Sequence, residues 1–323
     1  RFVCAAGSVM QAIDMTVWQG RIDATEGSLA PRWHQAMRPV ARDTDAGTVV
    51  LIGFACDAGV ARNQGRTGAA GGPAAIRHML RNMPVHECER LADAGNIVCA
   101  GDELEAAQIE LSKCVAGQLT AGRFPIVLGG GHEVALGSFV GLATHLASKQ
   151  PAARIGIVNF DAHFDLRHAE RGNSGTPFLQ IAHYCEARGW PFRYACFGVS
   201  RYSNTRALFV RAQKLGVVFV RDEQMQSAQQ ALATFVSQVD HVYLTFCLDV
   251  LPAPIAPGVS APAARGIGLD IIEPLIDLVI DSRKLRLADI AEMNPRFDID
   301  HQTAAVAARV VARIANGVAR GLG

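Results

Sequence analysis

Seven short apolar runs recur along the 323 residues, at 48–55, 124–129, 154–160, 194–199, 217–220, 242–248 and 287–292. They are rich in β-branched side chains, apolar at odd and even positions alike, and bounded by Gly, Pro or Asp. Strands of a parallel sheet covered on both faces read this way. Between them lie segments with helical spacing: 73–81, 103–121, 133–147, 176–188, 205–215, 224–239, 268–281 and 303–319. Strand–helix alternation over this length predicts one doubly wound α/β domain over 15–323. Residues 1–14 read as a weakly structured extension. No repeat, linker or charge block divides the chain. Residues 251–268, with four prolines, predict a long shaped loop after a strand, where α/β sheets place function.

Composition narrows the function. Half the residues are hydrophobic and 19% are charged, which excludes a disordered chain. Lys plus Arg is 31 against 30 for Asp plus Glu, so no electrostatic footprint for nucleic acid or an anionic membrane is expected. No apolar run approaches the roughly 20 residues that cross a bilayer, and residues 1–14 lack the pattern of a secretory leader. The eight cysteines (Cys4, Cys56, Cys88, Cys99, Cys114, Cys185, Cys196 and Cys247) form no C-x-x-C pair. Apart from Cys247, they read as buried thiols of a reducing, cytoplasmic compartment.

Chemistry concentrates in three segments. In Asn159-Phe160-Asp161-Ala162-His163-Phe164-Asp165 a strand runs into a D-A-H-x-D cluster. Alternate residues of an extended segment share a face, so Asp161, His163 and Asp165 can converge as an oxygen-rich site for Mn²⁺ or a similar cation. An acidic helix cap is the competing reading, but two carboxylates on one face repel without a cation. In Gly129-Gly130-Gly131-His132-Glu133 the glycines let the backbone pass close to a site while His132 projects into it. The spacing is that of neither a dinucleotide nor a P-loop phosphate cradle. In Thr245-Phe246-Cys247-Leu248-Asp249-Val250, Asp249 is a candidate ligand. Cys247 is either a ligand or an inert core thiol.

In this order these motifs resemble the ureohydrolase (arginase/agmatinase) superfamily, from Val17 onward. Within it the chain is similar to the formimidoylglutamase branch. That likeness rests on Trp18-Gln19-Gly20-Arg21-Ile22-Asp23, Gly65-Arg66-Thr67-Gly68-Ala69-Ala70-Gly71-Gly72-Pro73, Ser174-Gly175-Thr176-Pro177-Phe178, Gly198-Val199-Ser200-Arg201 and Ala256-Pro257-Gly258-Val259-Ser260-Ala261-Pro262. The resemblance implies a three-layer α/β/α fold around a mainly parallel sheet, frequent homo-oligomers, and two Mn²⁺ per subunit. His132, Asp161 and Asp165 would hold one ion, and His163, Asp161 and Asp249 the other. A further carboxylate belongs two residues before Asp249, where this chain has Cys247. Three readings follow: a sulfur ligand in an intact pair, a weak or absent second metal, or an impaired enzyme. A weakened second metal is the expectation, since Mn²⁺ prefers oxygen donors.

The implied reaction is hydrolysis of N-formimidoyl-L-glutamate to glutamate and formamide, with ammonia as the alternative leaving group. Asp165 would shuttle the proton, and Glu292 would pair with the amidine-type cation. Arg167 and Arg201, with Arg206 a further candidate, would hold the substrate carboxylates, and Ser174 stands where arginase-like enzymes place a His. His168 and His183 are weaker substitutes for that His. Two alternatives remain: an agmatinase- or guanidinobutyrase-like enzyme releasing urea, and a metal-poor homologue disabled at Cys247.

Overall fold

The computed structural model describes residues 8–147, 149–150 and 153–321. Cys4 and the first half of the expected extension lie outside them. Among the described residues ten strands make one sheet: β1 (Ser8–Gln11), β2 (Met37–Pro39), β3 (Val49–Ala55), β4 (Leu91–Cys99), β5 (Phe124–Leu128), β6 (Ile155–Phe160), β7 (Tyr194–Val199), β8 (Val218–Arg221), β9 (His241–Cys247) and β10 (Leu285–Ala291). Their order is β1-β4-β3-β5-β10-β9-β6-β7-β8, with β2 also beside β4. Only β1 is antiparallel to its neighbour. Part of the segment expected to be weakly structured is therefore a strand.

The helices are α1 (Trp33–Ala36), α2 (Ala58–Arg62), α3 (Gly72–Leu80), α4 (Leu104–Thr120), α5 (Val134–Ala147), α6 (Pro177–Glu186), α7 (Arg206–Lys214), α8 (Ala228–Ser237), α9 (Leu269–Asp281) and α10 (Gln302–Ala319). Along β3, Val49 and Leu51 enter one core with residues of α3, α8, α9 and α10. Val50, Ile52 and Phe54 enter the opposite core with residues of α4, α5, α6 and α7. A strand apolar at every position thus serves two helix layers at once, and each fully buried Leu, Ile or Phe contributes roughly 1.5–3 kcal/mol. Among the described residues no helix is long and apolar enough to cross a membrane.

Every strand and helix expected above is present, with some ends shifted by up to about a turn. β4 is an addition, and its sequence hides it. Asp93 is buried mid-strand, where it accepts from Arg77 Nε at 2.7 Å and from Trp18 Nε1 at 2.9 Å. A buried charge persists only when paired and hydrogen-bonded in this way.

Candidate metal centre

The C-terminal ends of β5, β10, β9 and β6 are neighbours in the sheet. The chain passes from β5 to β6 across a gap that β10 and β9 fill later, which opens a crevice at the strand ends. Each of the four strands delivers side chains into that crevice.

From β6 come Asp161, His163 and Asp165. The alternating Ala162 and Phe164 are buried, and Phe164 meets Phe209 and Phe219 edge-on at 5.0 and 5.2 Å. The His163 amide donates to Asp161 Oδ1 at 2.7 Å, turning the chain out of the strand. From β5 comes His132, on a loop seated by glycines. A Cβ on Gly130 would lie 1.7 Å from the Cys56 carbonyl oxygen, so no larger residue fits. His132 Nε2 lies 2.9 Å from Thr245 Oγ1. That contact fixes the ring so that Nδ1 faces Asp161 and Asp165, 2.9 Å from each. From β9 come Cys247 and Asp249, whose Oδ2 lies 3.1 Å from His163 Nδ1. From β10 comes Glu292, held at φ 69°, whose Oε1 accepts from the His132 amide at 3.0 Å. Asp165 also adopts a positive φ, 47°. Two non-glycine residues in the left-handed region at one cleft are held there by the surrounding packing.

The cleft concentrates negative charge. Burial opposes charging of His132, yet Asp161 and Asp165 hold its pKa well above the ordinary value. His163 is raised in the same way, burial being overridden by Asp249 and Asp161. Burial also disfavours ionised Asp161, but the two neighbouring imidazoles prevail and lower it. Glu292 is pushed up to about 8 by burial, then by Asp249 and Glu133. Burial raises the Cys247 thiol far above its usual range, reinforced by Asp161, Asp249 and Glu292. The carboxylates and the thiol disfavour one another's charged forms unless a cation joins them.

The donors fit a divalent cation. Ligand atoms of Asp161, His163 and Asp249 lie within 4.8 Å of one another, as do those of His132, Asp161 and Cys247. Asp165 belongs to neither trio, although its Oδ2 is 2.9 Å from His132 Nδ1. Nδ1 also lies 2.9 Å from Asp161 Oδ2, yet it makes no well-aligned hydrogen bond to either carboxylate. Asp249 Oδ1 and Glu292 Oε2 are likewise buried without a partner. Buried polar atoms without hydrogen-bond partners, gathered at one cleft, are what an ion would satisfy.

A cavity of about 290 Å³ opens on the cluster, lined by His132, His163, Asp165, Cys247, Asp249 and Glu292 among others. Arg167 and Ser174 stand in its wall, and no carboxylate among the described residues pairs with Arg167. Arg201 is not brought to the cavity: it is exposed at the end of β7, beside the Tyr202 ring. Arg206 opens α7 and lines a separate surface depression with Arg211 and Lys214. His168 and His183 are exposed and outside the cavity lining. Sequence reasoning missed Arg66, which lines the cavity. Arg66 donates from Nε to the Ser260 carbonyl at 3.0 Å and also bonds the Val259 carbonyl. Its guanidinium lies 4.0 Å from the Phe297 ring centroid. The signal was present: Arg66 and Ser260 fall in two of the segments that carried the resemblance.

The sequence profile of the arginase family matches residues 47–316. The chain belongs to the arginase family. Among relatives within this family, it is 60% identical over 314 residues to the formimidoylglutamase of Ralstonia nicotianae, covering 95% of this chain and 96% of that one. It is 52% identical to the formimidoylglutamase of Aeromonas salmonicida, covering 92% and 96%. The solved Trypanosoma cruzi formiminoglutamase with Mn²⁺ superposes with a TM-score of 0.79 at 26% identity, over 90% of this chain and 99% of that one. The arginase-family fold accounts for the three layers and the strand-end crevice.

Proposed function

We propose that the chain hydrolyses N-formimidoyl-L-glutamate to L-glutamate and formamide. The observation that carries the reading is the juxtaposition, in one cavity, of the carboxylate–imidazole cluster with the unpaired Arg167. The formimidoylglutamase relatives, 45–60% identical over nearly the whole chain, support the substrate. A urea-releasing reading is not favoured.

His132, Asp161, Cys247, His163 and Asp249, with Asp165 alongside, would hold a divalent pair, and Mn²⁺, as in the Trypanosoma structure, suits the oxygen-rich trio of Asp161, His163 and Asp249. When bound, such a pair supplies Lewis acidity and lowers the pKa of water at the site. Asp165 accepts the proton of the attacking water and returns it to the departing glutamate nitrogen. The bond from the formimidoyl carbon to that nitrogen breaks, and the carbon leaves as formamide. Glu292, with Oε2 unpartnered, faces the planar N–C–N cation and matches its two N–H groups. Arg167 takes one substrate carboxylate, and Arg66, prepositioned by the Val259 and Ser260 carbonyls, takes the other. Ser174, accepting from Asn63 Nδ2 at 3.0 Å, shapes the wall between them. We place the enzyme in the cytoplasm, as a homo-oligomer.

Product analysis tests this reading. Metal-loaded protein given N-formimidoyl-L-glutamate should release formamide and glutamate in equal amounts. Urea release from guanidino substrates at a comparable rate would overturn it.

A further inference from the structure

The two ligand trios differ in chemistry. Asp161, His163 and Asp249 present oxygen and nitrogen at the cavity, where the His163 side chain is 20% exposed. His132, Asp161 and Cys247 present nitrogen, oxygen and sulfur, and all three residues are at most 1% exposed. The second trio is therefore the deeper and drier. Its sulfur is the last residue of a fully buried strand, so Cys247 cannot swing away.

Three further facts bear on that sulfur. The His132 ring is turned by Thr245 so that Nδ1 faces the cluster. Nδ1 has no aligned partner there, which points to an ion. Asp161 is shared by both trios, so its two oxygens can serve neighbouring cations. Thiolate and imidazole are donors for Zn²⁺ and Co²⁺, whereas Mn²⁺ favours oxygen and stands lowest in the divalent affinity series.

We propose that His132, Asp161 and Cys247 form a sulfur-bearing metal site selective for Zn²⁺ or Co²⁺ over Mn²⁺. It lies beside an oxygen-rich site at Asp161, His163 and Asp249 that accepts Mn²⁺, so the centre is built for two different metals. The inference rests on reading this cleft as a divalent-metal centre. Metal binding displaces the Cys247 thiol proton to solvent and forms the metal–sulfur bond; nothing is oxidised or reduced. The other buried thiols lie outside both trios.

The test uses the metal-stripped full chain titrated with Co²⁺ and followed by absorbance. A near-ultraviolet sulfur-to-cobalt charge-transfer band should grow with Co²⁺ and be missing from Cys247→Ser. Zn²⁺ should abolish the band at equal concentration. Mn²⁺ should need a roughly tenfold or greater excess, in keeping with its place in the affinity series. Cys247→Asp guards against misfolding: it should retain Mn²⁺ by elemental analysis and show no band. The proposal is overturned if the wild-type chain gives no band, if Cys247→Ser gives the same band, or if Mn²⁺ displaces Co²⁺ as readily as Zn²⁺ does. Formamide release by Mn²⁺-loaded Cys247→Asp tests the proposed reaction separately, so failure of the metal assignment is distinguishable from failure of the reaction.

Discussion

His132 Nε2 sits 2.9 Å from Thr245 Oγ1, two residues before Cys247 on β9. One strand therefore orients one ligand and supplies two others, Cys247 and Asp249. Thr245→Val keeps the shape and removes the hydroxyl that holds the ring. Metal affinity should fall about 10–100-fold, the usual result when such a partner is removed. Competition with a chelator, beside an unchanged circular dichroism spectrum, measures it.

Cys247→Asp restores two oxygens where one sulfur stands. Mn²⁺ bound per chain and turnover should both rise. Equal metal content and rate in the two proteins would remove the sulfur from the account.

Arg167 faces the cavity without a carboxylate partner among the described residues. A charge-assisted hydrogen bond to substrate is worth roughly 1.5–3 kcal/mol. Arg167→Ala should then raise KM about 10–100-fold on the same arithmetic, while kcat changes far less. Steady-state kinetics with the dicarboxylate amidine decide; an unchanged KM counts against the role.

The metal-free protein should lose stability as pH rises. Burial raises Glu133 from 4.5 to about 7 and Glu292 from 4.5 to about 8. Between these unfolded and folded values the folded state binds more protons, so stability falls with rising pH. His132 and His163, raised above 6.5, act in the same direction: their contribution is complete below 6.5 and is lost as pH passes their folded values. Melting temperature should decline from about pH 5 to about pH 8, and added divalent metal should reverse the decline. A flat or rising profile would contradict this.

Gly130→Ala places a methyl 1.7 Å from the Cys56 carbonyl oxygen. Overpacking costs about 1–3 kcal/mol, and here the strain falls on the loop carrying His132, so stability and metal capacity should drop together. Gly117, inside α4 with nothing within 4 Å of a Cβ, is the control. Gly117→Ala should stabilise by roughly 0.5–1 kcal/mol. Denaturant unfolding of both variants checks the contrast.

Much of this was legible in the sequence because parallel strands buried on both faces are written in apolar residues. Asp161, His163 and Asp249 were legible because charged residues at such strand ends have no packing reason to be there. What escaped had physical causes. β4 was hidden by Asp93, whose partner Arg77 lies on α3. Gly95 within it, at φ 89°, leaves no room for a side chain: a Cβ would lie 2.1 Å from the Gln11 carbonyl oxygen. Arg66 escaped because its position depends on the Val259 and Ser260 carbonyls, far away in the chain. Arg201 was expected to hold a substrate carboxylate, but its strand, β7, lies beyond the four that build the cleft.

The most direct measurement is metal bound per chain, followed together with formamide release, for the wild-type chain and Asp161→Ala. Metal-free protein should be inactive and regain turnover as metal binds, and Asp161→Ala should lose both. Full turnover without metal, or wild-type metal content in Asp161→Ala, would contradict the account.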